Sequence, residues 1–319
     1  MKDENLPFSA VLASLFEDEE VSVPLLYRLS DLAEEDINKF WQLWAKAPAE
    51  RRRVIARHMA DIVEDDFVVD FVPYFKQFLQ DESEPVRIAA LDGVWDATDV
   101  TLVSFILQLL QSDDSVEVGT AAAAALSHFV LMSEWGEISA HISPRIVAEL
   151  IKVHEAEKTA VAIKRATLEA MAPASNPRIN ELIEAAYHDR LAEMRQSAIF
   201  AMGSNADTRW MPIILQELNS LEAETRAEAA RAAGLIGNSD AVEQLAALAQ
   251  EDDEDVALVA ITSLGQIGSE EAQEILMGLL DDEEFAHLHE AIEEALEEMT
   301  WMNQELELLH IDEEDEAED

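Results

Sequence analysis

A 31-residue self-similarity constrains what this chain can fold into more than any single motif. Residues 256–268, Val-Ala-Leu-Val-Ala-Ile-Thr-Ser-Leu-Gly-Gln-Ile-Gly, have a counterpart 31 positions earlier at 225–237 and another at 194–203. Residues 163–168 precede these by a further 31, and residues 287–296 follow by the same step. In the first half, Val54, Val86 and Val118 open equivalent segments 32 residues apart. The anchors stand at 54, 86, 118, 163, 194, 225, 256 and 287. Each segment spaces small and apolar residues as a helix does, as with Val256, Ala260, Leu264 and Ile267. A second amphipathic stretch precedes each one, for example residues 102–107 and 213–218. Two helices and two short turns fill such a period, and no unit buries its apolar face alone, so the units must stack. Strand signals are absent. The expectation is an all-α chain, an α-solenoid superhelix of about eight helix pairs.

The register slips once. Between anchors 118 and 163 the spacing is 45, and the surplus centres on residues 133–144. Residues 1–50 carry further apolar stripes (Phe8, Val11, Leu12, Leu15, Phe16, then Leu25, Leu26, Leu29, Leu32), followed by Phe40, Trp41, Leu43 and Trp44. The expected organisation is an N-terminal helical cap over 1–50, repeats over 51–132, an irregular insertion over 133–144, repeats over 145–300 and a disordered acidic tail over 301–319. The insertion reads equally as a spacer or a binding loop.

The Val-Arg opening of Val86-Arg87, echoed in Met194-Arg195 and Thr225-Arg226, and the ending Leu264-Gly265-Gln266-Ile267-Gly268 resemble HEAT repeats. The likeness is to the short bacterial type also called bilin-lyase-like, and it extends over roughly residues 40–300. It implies the solenoid fold and, for function, anything from interaction to modification. Ile55, Gly119, Ala257 and Leu288 replace the arginine in four units, so a side-chain ladder along the stack is interrupted there.

The resemblance invites three enzymatic tests. Deoxyhypusine hydroxylases of this repeat class hold two irons with four His-Glu pairs. Here His289-Glu290 has the right register, while the other units carry Ala56-Arg57, Ile88-Ala89, Thr120-Ala121, Arg165-Ala166, Gln196-Ser197, Ala227-Glu228 and Leu258-Val259. His154-Glu155 is out of register. One pair in eight builds no two-metal site. DNA glycosylases of HEAT-like build need a basic surface, which a net charge of −47 denies. A bilin-lyase-like or other small-ligand role remains as an alternative, placed in the near-neutral central repeats. No catalytic residue, metal site or cofactor is assigned; Walker, G-x-S-x-G and H-E-x-x-H patterns are missing. Zero cysteine removes thiol chemistry, thiolate metal sites and disulfides together.

Charge then narrows the partner. Residues 145–231 hold 11 basic and 13 acidic side chains, whereas residues 232–319 hold 28 Asp and Glu and not one Lys or Arg. Such polarity is unlike a uniform solvating coat. It disfavours nucleic acid and membrane as partners and favours a protein with a basic patch or an extended basic segment. A mimic of nucleic acid is the other reading of the same acidity. Acidic runs such as 251–255 and 281–284 precede second helices, where the helix dipole alone favours them. Apolar runs near 20 residues and a secretory leader are not apparent, so a cytoplasmic location is expected. In HEAT repeats the second helices line the concave face, which nominates Asp92, Trp95, Glu169, Phe200, Arg231 and Glu293 as partner-binding residues. Trp95 stands where later repeats carry glycine, so a projecting ring is one reading, while the expectation is that it packs into a wider gap of the core. The sequence thus reads as a non-enzymatic interaction scaffold or adaptor of unspecified oligomeric state.

Overall fold

In the computed structural model, which describes residues 6–30, 32–66 and 68–301, helices form where the apolar spacing has a period near 3.6. Among the described residues there is no strand. The chain divides between Ala174 and Ser175 into two units.

The first unit holds α1 (Phe8–Glu17), α2 (Val23–Leu26), α3 (Glu34–Trp44), α4 (Ala49–Asp65), α5 (Val72–Phe78) and α6 (Glu84–Asp92). It continues with α7 (Leu102–Ser112), α8 (Val116–Glu134), α9 (Ile142–Glu155) and α10 (Val161–Met171). The second unit holds α11 (Pro177–Tyr187), α12 (Ala192–Asn205), α13 (Met211–Glu217), α14 (Ala223–Ile236), α15 (Val242–Leu248), α16 (Glu254–Ile267) and α17 (Glu270–Leu280). Residues 289–301 are helical to the last described position. Within each unit the even-numbered helices of the repeats stack on one another, α4–α6–α8–α10 in the first and α12–α14–α16 in the second. Each odd-numbered helix covers its partner from the other side, as α7 does α8 and α13 does α14. These are the stacked helix pairs of an α-solenoid, and the anchors 54, 86, 118, 163, 194, 225 and 256 all fall in second helices. The eighth anchor, His287, lies in the short 3-10 segment Glu283–Leu288 that leads into helix 289–301.

Local chemistry sets the boundaries. Proline stands in the first turn of α5, α6, α11 and α13, where its missing N–H costs no helical bond. Ser115, Asn176, Asp253 and Ser269 cap their helices through side-chain oxygens that accept a backbone N–H. The recurrent glycines serve two separate purposes. Gly237 and Gly268 close α14 and α16 in the left-handed region, at φ 69° and 65°. Gly203, Gly234 and Gly265 instead sit inside helices with the next repeat pressed against them. A Cβ on Gly234 would lie 2.9 Å from the Ser263 Cα, and one on Gly203 would lie 2.7 Å from the Ala232 Cα. Gly203, Gly234 and Gly265 are thus contact points between successive repeats.

The core of the first repeats is aromatic. Phe40 and Phe78 are fully buried, and Trp44 stacks on Phe78 with ring centroids 4.1 Å apart. The polar atoms of that cluster are satisfied: Tyr74 Oη donates to the Leu29 carbonyl at 2.9 Å and Trp44 Nε1 to Asp81 Oδ2 at 3.0 Å. Later repeats replace aromatics by alanine, so helices approach more closely: Ala229, Ala230, Ala232 and Ala233 are all buried in α14. Residues 133–144 hold the end of α8, a seven-residue connection through Gly136 at φ 80°, and the start of α9. Ser133 ties this connection down. Its hydroxyl donates to the Ser139 carbonyl and accepts from the Ser143 N–H, both at 3.1 Å. With 19 residues, α8 is long and apolar enough to cross a bilayer, but Val118, Ala122, Leu126, Phe129 and Val130 are buried against neighbouring helices.

Candidate functional site

The six residues nominated by register are divided equally between the units. In the first unit, Asp92 ends α6 and takes the Arg57 guanidinium at 2.5 Å from the preceding second helix. Trp95 stands beyond α6 in a turn and is 42% exposed, so its ring projects. Glu169 on α10 faces Arg165 at 3.9 Å. In the second unit, Phe200 on α12 is half-buried, Arg231 on α14 is exposed and paired with Glu228 at 2.8 Å, and Glu293 is exposed. Phe200, Arg231, Thr262 and Glu293 recur every 31 residues on successive second helices, and none is buried. At the usual 8–10 Å between packed helices they form a row of roughly 25–30 Å. The corresponding Ala60 in the first unit is fully buried.

Beside that row lies the largest charge asymmetry of the fold. Residues 232–301 contain 19 carboxylates, of which 18 are exposed; the exception is Glu251. Among the described residues, Glu251 is also the single member of this set in an ion pair, with Arg226 at 2.7 Å. Some of the others suit helix N-termini: Glu254 and Asp255, Glu270 and Glu271, and Glu283 and Glu284 occupy first turns. That account fails for helix 289–301. There Glu290, Glu293, Glu294, Glu297 and Glu298 are exposed at three- and four-residue spacing with no lysine or arginine among them. Each like-charged pair at that spacing costs about 0.2–0.5 kcal/mol. A terminal repeat needs a polar outer face, yet lysines would supply polarity equally well. The sign of the charge therefore has no stabilising reason.

The arginines that follow the anchors, read from the sequence as structural partners of acidic neighbours between repeats, meet such a neighbour at Arg87 and Arg226 but, among the described residues, not at Arg195. Arg87, Arg195 and Arg226 each donate Nη1 to the carbonyl six residues earlier, of Asp81, Asp189 and Ser220, at 2.9, 3.1 and 2.9 Å. Arg87 also grips Asp113 of the next turn, Nε to Oδ2 at 2.7 Å and Nη2 to Oδ1 at 2.9 Å, and Arg226 reaches Glu251 likewise. Asp113 and Glu251 lie three residues ahead of α8 and α16, and the residue in that place ahead of α14 is Ser220. Beside Arg195 opens a cleft of about 820 Å³ lined by Tyr187, Ile199, Gln216 and the fully exposed Leu221. Burial, with Glu217 as its hydrogen-bond partner, pushes the Tyr187 phenol up to about 12. The alignment of Asp189, Ser220 and Glu251 at 31-residue steps is the sequence signal that marks this site.

Among the described residues no group of three or more His, Asp or Glu side chains is placed to hold a metal ion. His154 is buried in α9, its Nδ1 2.9 Å from the Lys164 carbonyl and 3.2 Å from Thr167 Oγ1. It is a packed core histidine, and burial holds it below the ordinary imidazole range.

Residues 211–297 match the HEAT-repeat family. Among solved structures, the complex of CpcE and CpcF of phycocyanin lyase from Nostoc sp. PCC7120 is similar over 87% of this chain and 98% of that one, at 16% identity and a TM-score of 0.53. The YibA protein of Escherichia coli is similar over 72% and 92%, at 17% identity and a TM-score of 0.43. Human deoxyhypusine hydroxylase is similar over 92% and 96%, at 16% identity and a TM-score of 0.34. No curated protein sequence matches the chain. At these identities the likeness is one of fold: the chain has α-solenoid architecture, with HEAT repeats over residues 211–297.

Proposed function

We propose that the protein is a non-enzymatic interaction scaffold whose C-terminal repeats capture a protein partner through a basic patch or extended basic segment. One observation carries this reading: 18 exposed carboxylates in residues 232–301, with no lysine or arginine in that stretch, including a helix whose acidic stripe opposes its own stability. A field of one sign raises the encounter rate with an opposite charge and rejects like-charged competitors. Affinity then needs apolar contacts, for which half-buried Phe200 in the second unit and projecting Trp95 in the first are the nominated anchors. Arg231 and Glu293 continue the Phe200 row and set its register, while Asp92 and Glu169, engaged by Arg57 and Arg165, act through those arginines.

Affinity capture from the source lysate, with stepwise salt elution and identification of what elutes, tests the reading. The expected partner carries a basic surface, elutes as salt rises, and is lost from a variant with Glu290, Glu293, Glu294, Glu297 and Glu298 changed to Gln. A partner without a basic surface, or one retained by that variant, overturns it.

A further inference from the structure

The arginine ladder has one rung without its carboxylate, and the vacancy has a defined shape. Arg87 and Arg226 show what the register supplies: a guanidinium fixed by a carbonyl in its own turn, then closed by Asp113 or Glu251 from the next turn. Arg195 has the same fixing bond, from Nη1 to the Asp189 carbonyl at 3.1 Å, with the Arg190 carbonyl at 3.1 Å as a second acceptor. Among the described residues it has no other hydrogen-bond partner, because the turn that should supply the carboxylate presents Ser220. The Ser220 hydroxyl faces its own turn, 3.4 Å from the Glu222 N–H. The two carboxylates in the cleft wall do not fill the gap. Glu217 is held by Tyr187 Oη and by Gln216 Nε2 at 3.1 Å, and Glu222 makes no ion pair with Arg195.

We infer that the cleft beside Arg195 is a binding site for a carboxylate on an apolar stem, supplied from outside the fold. The carboxylate takes the place that Asp113 and Glu251 occupy beside their arginines. A planar guanidinium already held on one edge offers its remaining N–H groups at little further entropic cost. The stem lies along half-buried Ile213 and fully exposed Leu221. Glu217 and Glu222 in the wall disfavour a phosphate or another multiply charged anion, which selects for a single negative charge. Two sources present that chemistry: a free branched aliphatic acid, and the C-terminal leucine of a peptide. This site is independent of the acidic surface, with the opposite preference in charge.

The test uses the intact protein and follows the Arg195 Nε–H resonance during titration with isovalerate and with the dipeptide acetyl-Ala-Leu. Acetyl-Ala-Leu-amide, which keeps the stem and removes the charge, is the control. Both acids are expected to give a saturable shift and the amide none. Tighter binding of the dipeptide assigns the site to a chain terminus, and equal or tighter binding of isovalerate assigns it to a free acid. Ser220→Asp restores the missing rung and is expected to weaken binding by about tenfold or more while the protein melts no lower than wild type. Arg195→Gln, followed through the Leu221 methyl signals, is expected to abolish the shift. Equal response to the amide, an absent or non-saturable response to both acids, or undiminished binding in Ser220→Asp overturns the inference.

Discussion

Replacing Ala206 by glycine should stabilise the second unit, although it removes a methyl group and adds backbone freedom. Three second helices there close in the left-handed region at positions 31 residues apart: Ala206 at φ 53° and ψ 22°, Gly237 at 69° and 25°, and Gly268 at 65° and 12°. In all three the cap N–H closes the last turn, though not to the same carbonyl: Ala206 donates three residues back to Gly203, Gly268 four back to Leu264, and Gly237 to both Ala233 and Gly234. Only Ala206 has a Cβ, which in this conformation costs about 1–2 kcal/mol through its contact with the following carbonyl. Glycine returns about 0.4–1 kcal/mol of that as entropy of the unfolded chain. The net expectation for Ala206→Gly is a gain of about 0.5–1 kcal/mol, and for Gly237→Ala a comparable loss. Stacked repeats open by parts, so amide hydrogen exchange is the assay that reads the effect where it arises. Amides at the end of α12 should exchange roughly two- to fivefold more slowly in Ala206→Gly and correspondingly faster at the end of α14 in Gly237→Ala. Faster exchange in Ala206→Gly would refute the strain argument, since the entropy term alone would then govern the cap.

Further outcomes follow from other parts of the fold. Gly234→Ala places a Cβ 2.9 Å from the Ser263 Cα, and urea titration should show a loss of about 1–3 kcal/mol from forced separation of α14 and α16. Glu294→Lys puts a cation between Glu290 and Glu298, so helix 289–301 should gain about 0.5–1 kcal/mol by thermal melting while partner affinity falls. His154 is held below the ordinary imidazole value by burial, so below about pH 6.5 the unfolded chain binds a proton that the folded chain refuses. Stability should therefore fall as pH drops from about 7 to 5, and the difference between wild type and His154→Asn should shrink over that range, removing from comparison the easing of overall charge repulsion.

How much of this was legible in the sequence differs between scaffold and site. The 31-residue register placed seven of the eight anchors in second helices, because a stacked repeat forces the same contacts on each unit and so writes them repeatedly. The glycines show where that reading stopped. Gly203, Gly234 and Gly265 share one register and Gly237 and Gly268 another, but only backbone angles and interhelical distances show that the first column packs and the second caps. Trp95 projects because α6 ends at Asp92, three residues before it, whereas the register predicts continued helix. Ala206 was invisible for the opposite reason: it breaks a local preference that the two later repeats obey. The Arg195 cleft was legible, but only by asking which residue fails to repeat. Ser220 stands between Asp189 and Glu251 in a column of acids.

The central claim, that the cation-free carboxylates of residues 232–301 hold a basic partner, is tested most directly by the salt dependence of that association. The captured partner should be titrated against wild type and the Glu290/Glu293/Glu294/Glu297/Glu298→Gln variant from about 0.05 to 0.5 M salt, a range over which the screening length shortens more than threefold. The account predicts that wild-type affinity falls steeply along this series, and that the variant binds more weakly at low salt with a shallower dependence. Equal affinity of the two proteins, or an association indifferent to salt, would contradict it.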